Sequence, residues 1–126
     1  MSMLLPLLAV ATGAAAPAVA PGPGPYDAQM CVTLNTNPPT CGPMEARIAR
    51  DGTLTLRHDD IRYVLSFEQG LMVGITMHGG MQIAEFLSSY RWAGGTLLFS
   101  DRSRSAQYEV QLTPVGSRKP ASAASR

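Results

Sequence analysis

The stretch DGTLTLRHDDIRYVLSFEQGLMVGITMHGG, residues 51–80, decides the fold class. Leu54 and Leu56 alternate with Thr53, Thr55 and Arg57. Ile61, Tyr63, Leu65 and Phe67 alternate with Arg62, Val64 and Ser66, and Leu71, Val73, Ile75 and Met77 alternate with Met72, Gly74 and Thr76. An apolar residue at every second position makes one apolar face only on an extended chain, so each run reads as a half-buried strand. Between the runs stand Asp51-Gly52, Asp59-Asp60, Gln69-Gly70 and Gly79-Gly80. Such dipeptides reach tight-turn geometry, and connections this short allow only antiparallel neighbours. On this pattern Met77 extends the inward face of Leu71, Val73 and Ile75, and Met72 points the other way.

The same period continues outward. Upstream, Ala46 and Ile48 alternate with Glu45, Arg47 and Ala49; downstream, Tyr108, Val110 and Leu112 alternate with Glu109 and Gln111. Gly94-Gly95 and Arg102-Ser103 add two turn signals. One segment breaks the rhythm: Ile83, Phe86, Leu87 and Tyr90 fall at helical spacing, which predicts a helical turn or irregular strand over 81–87. Strands then flank Gly94-Gly95, and Trp92, sharing alternation with Tyr90, is expected to lie against the sheet. The fold class is all-β, possible short helix near 81–87 included: an antiparallel meander of seven to nine short strands. A sheet that long, apolar on one face, must close as a small barrel or sandwich to bury it.

Proline marks the boundaries. Pro21, Pro23 and Pro25 alternate with glycine, Pro38, Pro39 and Pro43 cluster next, and none occurs from Met44 to Thr113. Lacking an N–H, proline is excluded from ladder interiors, so that stretch holds the hydrogen-bonded fold. The chain divides into a leader at 1–20, a Pro/Gly linker at 21–27, a single β domain at 28–115 and a polar tail at 116–126, expected to be disordered.

The chain has 126 residues and a net charge of +1, which leaves no electrostatic footprint for nucleic acid. Residues 3–20 carry no charge and pass from a Leu-rich half to an Ala-rich half. That is the pattern of a secretory signal peptide, too short and Pro-interrupted for a membrane span. Cleavage between Ala15 and Pro21 would leave a periplasmic or secreted protein with no stable membrane span. Cys31 and Cys41, the only cysteines, read as a disulfide in an oxidising compartment. Closing so small a ring stabilises by roughly 2.5–3 kcal/mol at most.

Three polar clusters could carry chemistry. Met77, His78 and Met81 would suit a soft metal such as copper(I) if the hairpin tip brings them together, although methionines also fill cores. His58, Asp59 and Asp60 form a polar turn able to bind a cation or to serve as a general base, and Asp favours turns in any case. Arg102 and Arg104, among serines, could hold an anion or enter an acidic cleft. Glu85 is expected on the solvent side. No nucleophile elbow or His-Glu-x-x-His pattern is present.

An exported meander of this size, with a cysteine near its start and a late Tyr/Trp hairpin, is similar to periplasmic lysozyme inhibitors of the small β-barrel kind. That family's late cysteine and Ser-Gly-x-x-Tyr segment have no counterpart here, where both cysteines are early. No family is assigned. The expectation is a small exported, non-catalytic β domain without a cofactor, binding a protein or cell-envelope ligand through hairpin tips. The alternatives are a periplasmic copper or small-ligand carrier using Met77, His78 and Met81, and a structural role in the envelope.

Overall fold

The six turn dipeptides each fall between two strands. The computed structural model describes residues 19–115, so the expected tail and all but the end of the expected leader lie outside the described residues. In chain order the strands are β1 (Gly24–Leu34), β2 (Thr40–Ile48), β3 (Leu54–His58), β4 (Ile61–Glu68), β5 (Leu71–His78), β6 (Met81–Ala93), β7 (Thr96–Asp101) and β8 (Ala106–Pro114). A single 3-10 turn, Arg102–Arg104, interrupts the last connection. Each strand pairs antiparallel with the next, and β8 returns to β1, closing a barrel. Closure leaves the strands no free outer edge along most of their length.

Three expectations need correction. Of the two alternatives for residues 81–87 the helical turn falls and the irregular strand holds, because β6 pairs with β5 over that stretch with a shift in register. The domain begins at Gly24 rather than 28: Pro25 lies within β1, opposite Arg47. The apolar face of β5 is also inverted. Met72 is fully buried while Leu71 is half exposed, so Met72, Gly74 and Thr76 point inward and the Leu71, Val73, Ile75, Met77 row points out.

Turn length forces that inversion. Directly opposed residues in an antiparallel pair share a face, and the two-residue turn Gln69-Gly70 sets Glu68 opposite Leu71. Leu65 then opposes Gly74 and Tyr63 opposes Thr76. Leu65 is fully buried, so its partners on β5 must be inward too.

The next hairpin would carry the error onward but for one residue. His78 opposes Met81 and Met77 opposes Gln82, yet Thr76 opposes Ala84, leaving Ile83 as a bulge. A bulge inserts an unpaired residue and flips the facing of everything beyond it. Without it Glu85 and Arg91 would face the core while Phe86 and Trp92 faced water. With it Glu85 is exposed, Phe86 lies over Gly74, and Trp92 is buried as expected. Leu54, Leu56, Leu65, Met72, Leu97 and Val110 fill the centre of the barrel.

Two neighbouring ladders are short. β2 meets β3 only over Glu45–Ile48, and β6 meets β7 only over Tyr90–Ala93. Beyond those ladders Thr40–Met44 of β2 and Met81–Leu87 of β6 run on with no strand on one side. The barrel is therefore notched in two places, both towards the same end.

Candidate functional site

In an up-and-down barrel alternate connections share an end. The β1–β2 loop (35–39), the β3–β4 turn (59–60), the β5–β6 turn (79–80) and the β7–β8 connection (102–105) thus lie together at the notched end. The polar clusters around His58, His78 and Arg102 all stand at or beside these tips. The chain reaches and leaves the barrel at the opposite end, beside Gly94-Gly95.

The four tips are tied in pairs by backbone hydrogen bonds. Gly79 N–H donates to the Asp60 carbonyl (2.8 Å), and Asn35 N–H donates to the Ser105 carbonyl (2.9 Å). The first bond sets the β3–β4 tip beside the β5–β6 tip. His58 opposes Ile61, Ile61 opposes His78, and His78 opposes Met81, so these four residues form one row along the rim.

His58, Asp59 and Asp60 line a groove of about 650 Å³ with Glu45 and Arg57, where β2 parts from β3. Asp59 has positive φ (54°), a conformation that Asp tolerates better than most residues. His58 Nε2 lies 3.5 Å from Asp59 Oδ2, and Arg57 Nη2 donates to Glu45 Oε1 at 3.0 Å. All four of these side chains are mostly exposed, so the pairs contribute little stability and remain available to a partner's charges.

Opposite that groove, the two arginines differ. Asp101 is buried and accepts hydrogen bonds from Ser103 N–H (3.1 Å) and Ser103 Oγ (2.6 Å), capping the 3-10 turn. Arg104 Nε stands 3.7 Å from Asp101 Oδ2, which anchors that side chain. The Arg102 side chain is exposed and makes no hydrogen bond or ion pair among the described residues, its carbonyl alone accepting from Ser105 N–H at 3.2 Å.

The methionine cluster does not converge as expected. The turn has two residues, Gly79-Gly80, so Met77 opposes Gln82 rather than Met81 and points outward, away from the rim row. Only His78 and Met81 remain opposite one another. Among the described residues no three His, Cys, Asp or Glu side chains are grouped to hold a metal ion.

Beneath the rim lies an aromatic layer that the sequence reading did not single out. Phe99 stacks on Tyr108 (centroids 4.7 Å apart), Phe86 stacks on Phe99 (6.1 Å), and Tyr63 meets Tyr108 edge-on (6.5 Å). Burial pushes both phenols above their ordinary value, and the nearby Arg104 guanidinium opposes the rise. Their alternation with the loop residues was the available signal, since inward residues nearest a tip line the mouth.

The Cys31–Cys41 bridge is formed, joining directly opposed residues of β1 and β2 on the outer face. A disulfide is consistent with a non-cytoplasmic location. No helix among the described residues is long and apolar enough to cross a membrane. Comparison with protein-family models, with curated proteins and with solved structures finds no match.

Proposed function

We propose that this chain is a small exported, periplasmic binding domain without catalytic machinery, which engages a protein or cell-envelope ligand through the notched end of its barrel. The observation that carries the reading is the convergence of the His58–Asp60, His78–Met81 and Arg102–Arg104 tips on that end. A rigid barrel presenting several short tips side by side is how binding surfaces are commonly built. The tips offer complementary chemistry: an acidic groove at Asp59 and Asp60 and a free guanidinium at Arg102.

The test is site-specific photo-crosslinking in cells that export the protein. A crosslinker replacing Arg102 or Asp60 is expected to capture the same partner, while one at Asp51, in a turn of the opposite end, captures none. Capture from Asp51 alone, or from none of the three, would overturn the proposal. A soft-metal role has less support, because Met77 turns away from His78 and Met81.

A further inference from the structure

The outer face of β2, β3 and β4 carries a concentration of like charge. Glu45 opposes Arg57 and Arg57 opposes Arg62, so the two arginines are direct neighbours across the β3–β4 ladder. Like charges directly opposed destabilise a sheet. Arg47, two residues along β2 from Glu45, adds a third guanidinium on the same face, diagonal to Arg57. All three arginines are exposed, and with Thr55 they line a groove of about 430 Å³. Among the described residues Glu45 is the one carboxylate lining that groove, and it already accepts from Arg57 Nη2 at 3.0 Å. The side chains of Arg47 and Arg62 make no hydrogen bond or ion pair among the described residues. Asp27, opposite Glu45 on β1, lies one strand farther off and outside the groove.

We infer that this groove binds a phosphate group carrying close to two negative charges, as the inorganic ion or a monoester does at neutral pH. Directly opposed residues of an antiparallel pair stand about 4.5–5.5 Å apart and diagonal ones about 7–8 Å, both within reach of long side chains. Arg57 and Arg62 can therefore take two edges of one tetrahedral anion while Arg47 reaches a further oxygen. A guanidinium presents a planar fork of donors that fits phosphate two bonds at a time, as a lysine cannot. Thr55, outward between Arg47 and Val64, adds a hydroxyl. The charge decides the ligand class. Three guanidiniums against the one carboxylate of Glu45 leave two positive charges uncompensated, which a phosphate monoester at ~−1.5 to −2 matches and a single carboxylate does not. The groove lies on the outside of the barrel, open alike to free phosphate and to a phosphomonoester lipid headgroup.

Nitrogen-15-labelled protein titrated with sodium phosphate, at neutral pH and fixed ionic strength, tests this. The Nε–Hε signals of Arg47, Arg57 and Arg62 are expected to move together and saturate, while sodium chloride leaves them in place. Arg62→Gln should weaken phosphate binding by about fivefold or more, the low end for a bond between charged groups at an exposed site. In phosphate-free buffer its melting temperature should equal or exceed the parent's, because a like-charge pair is gone. Arg91→Gln, on β6, should change neither. In a second arm the protein is floated with phosphatidylcholine vesicles that contain or lack phosphatidic acid. Capture that requires phosphatidic acid, and is lost when Arg47→Gln is combined with Arg62→Gln, identifies a headgroup; saturation by inorganic phosphate without vesicle capture identifies the free ion. Binding in neither arm would overturn the inference, as would binding that the double variant leaves intact. Arg102 and Asp60 lie outside this groove, so the crosslinking test of the loop end is decided separately.

Discussion

Gly74 is the position where the barrel's packing is most exposed to test. It faces inward between Leu65 on β4 and Phe86 on β6, a large–small–large row across three strands. A Cβ built there would stand 2.6 Å from Phe86 Cε1, far inside van der Waals contact. Gly74 does not have positive φ, so alanine suffers no backbone penalty, and restricting the unfolded chain favours it by ~0.4–1 kcal/mol. Against that, overpacking a core costs ~1–3 kcal/mol. Moving the Phe86 ring also weakens its stacking on Phe99 and Tyr108, where each such contact contributes ~0.5–1.5 kcal/mol. The steric side wins, because the ring sits directly over the glycine, and Gly74→Ala should destabilise by about 1–2 kcal/mol. For a domain of this size that lowers the melting temperature by roughly 5–15 °C. Thermal unfolding followed by circular dichroism gives the number, and a double-mutant cycle gives its cause. In a Phe86→Leu background, Gly74→Ala should become neutral or stabilising. A melting temperature unchanged in the Phe86 parent would mean that the ring swings into the β6 notch freely, and the packing argument would fail.

Deleting Ile83 removes the bulge but leaves Thr76 opposite Ala84, so the barrel should survive with a melting temperature within a few degrees of the parent; loss of cooperative unfolding would refute the facing argument. Reducing Cys31–Cys41 should lower the melting temperature by roughly 5–20 °C, from an upper stabilisation of ~3 kcal/mol, and leave the strand spectrum at 25 °C unchanged, because β1 stays laddered to β2 and β8. Loss of strand signal on reduction would show that the bridge holds the fold rather than reinforcing it. Tyr63 and Tyr108 hold their protons above the ordinary phenol value of 10, so their contribution to stability is complete below pH 10 and declines as pH rises through the raised values. Phenolate absorbance should show both titrating late, and later still in Arg104→Ala; titration of all tyrosines at the free value would contradict their burial.

Much of the fold was legible because turn residues and alternation agree. Leu54, Leu56, Tyr63, Leu65, Tyr108 and Val110 face inward as their period implies, and all the marked turns are turns. The helical spacing of Ile83, Phe86, Leu87 and Tyr90 misled because a bulged strand and a helix both break a period of two. On β5 both faces are apolar, so hydrophobicity cannot choose between them, and Leu71, Val73, Ile75 and Met77 look like the better core. The deciding information was nonetheless local. A two-residue turn after Phe67 and Glu68 leaves Met72 and Gly74 no other face than Leu65's.

The site divides along the same line. That His58–Asp60, His78–Met81 and Arg102–Arg104 share an end follows from counting connections in a meander, since tips after the first, third, fifth and seventh strands must coincide. What no count supplies is the pair of notches. Those depend on how far β6 outruns β7 and β2 outruns β3, and therefore on register around the whole closed sheet. Ile83 links the two scales: one unpaired residue turns Phe86 and Trp92 inward and Glu85 outward. The same turn places Ile83 and Leu87 in solvent along the one long edge without a proline. The apolar edge of β6 is thus a consequence of how the core is filled. A sequence keeping Phe86 and Trp92 inside, with polar residues at 83 and 87, would fold equally well, so the core does not require Ile and Leu at those two exposed positions.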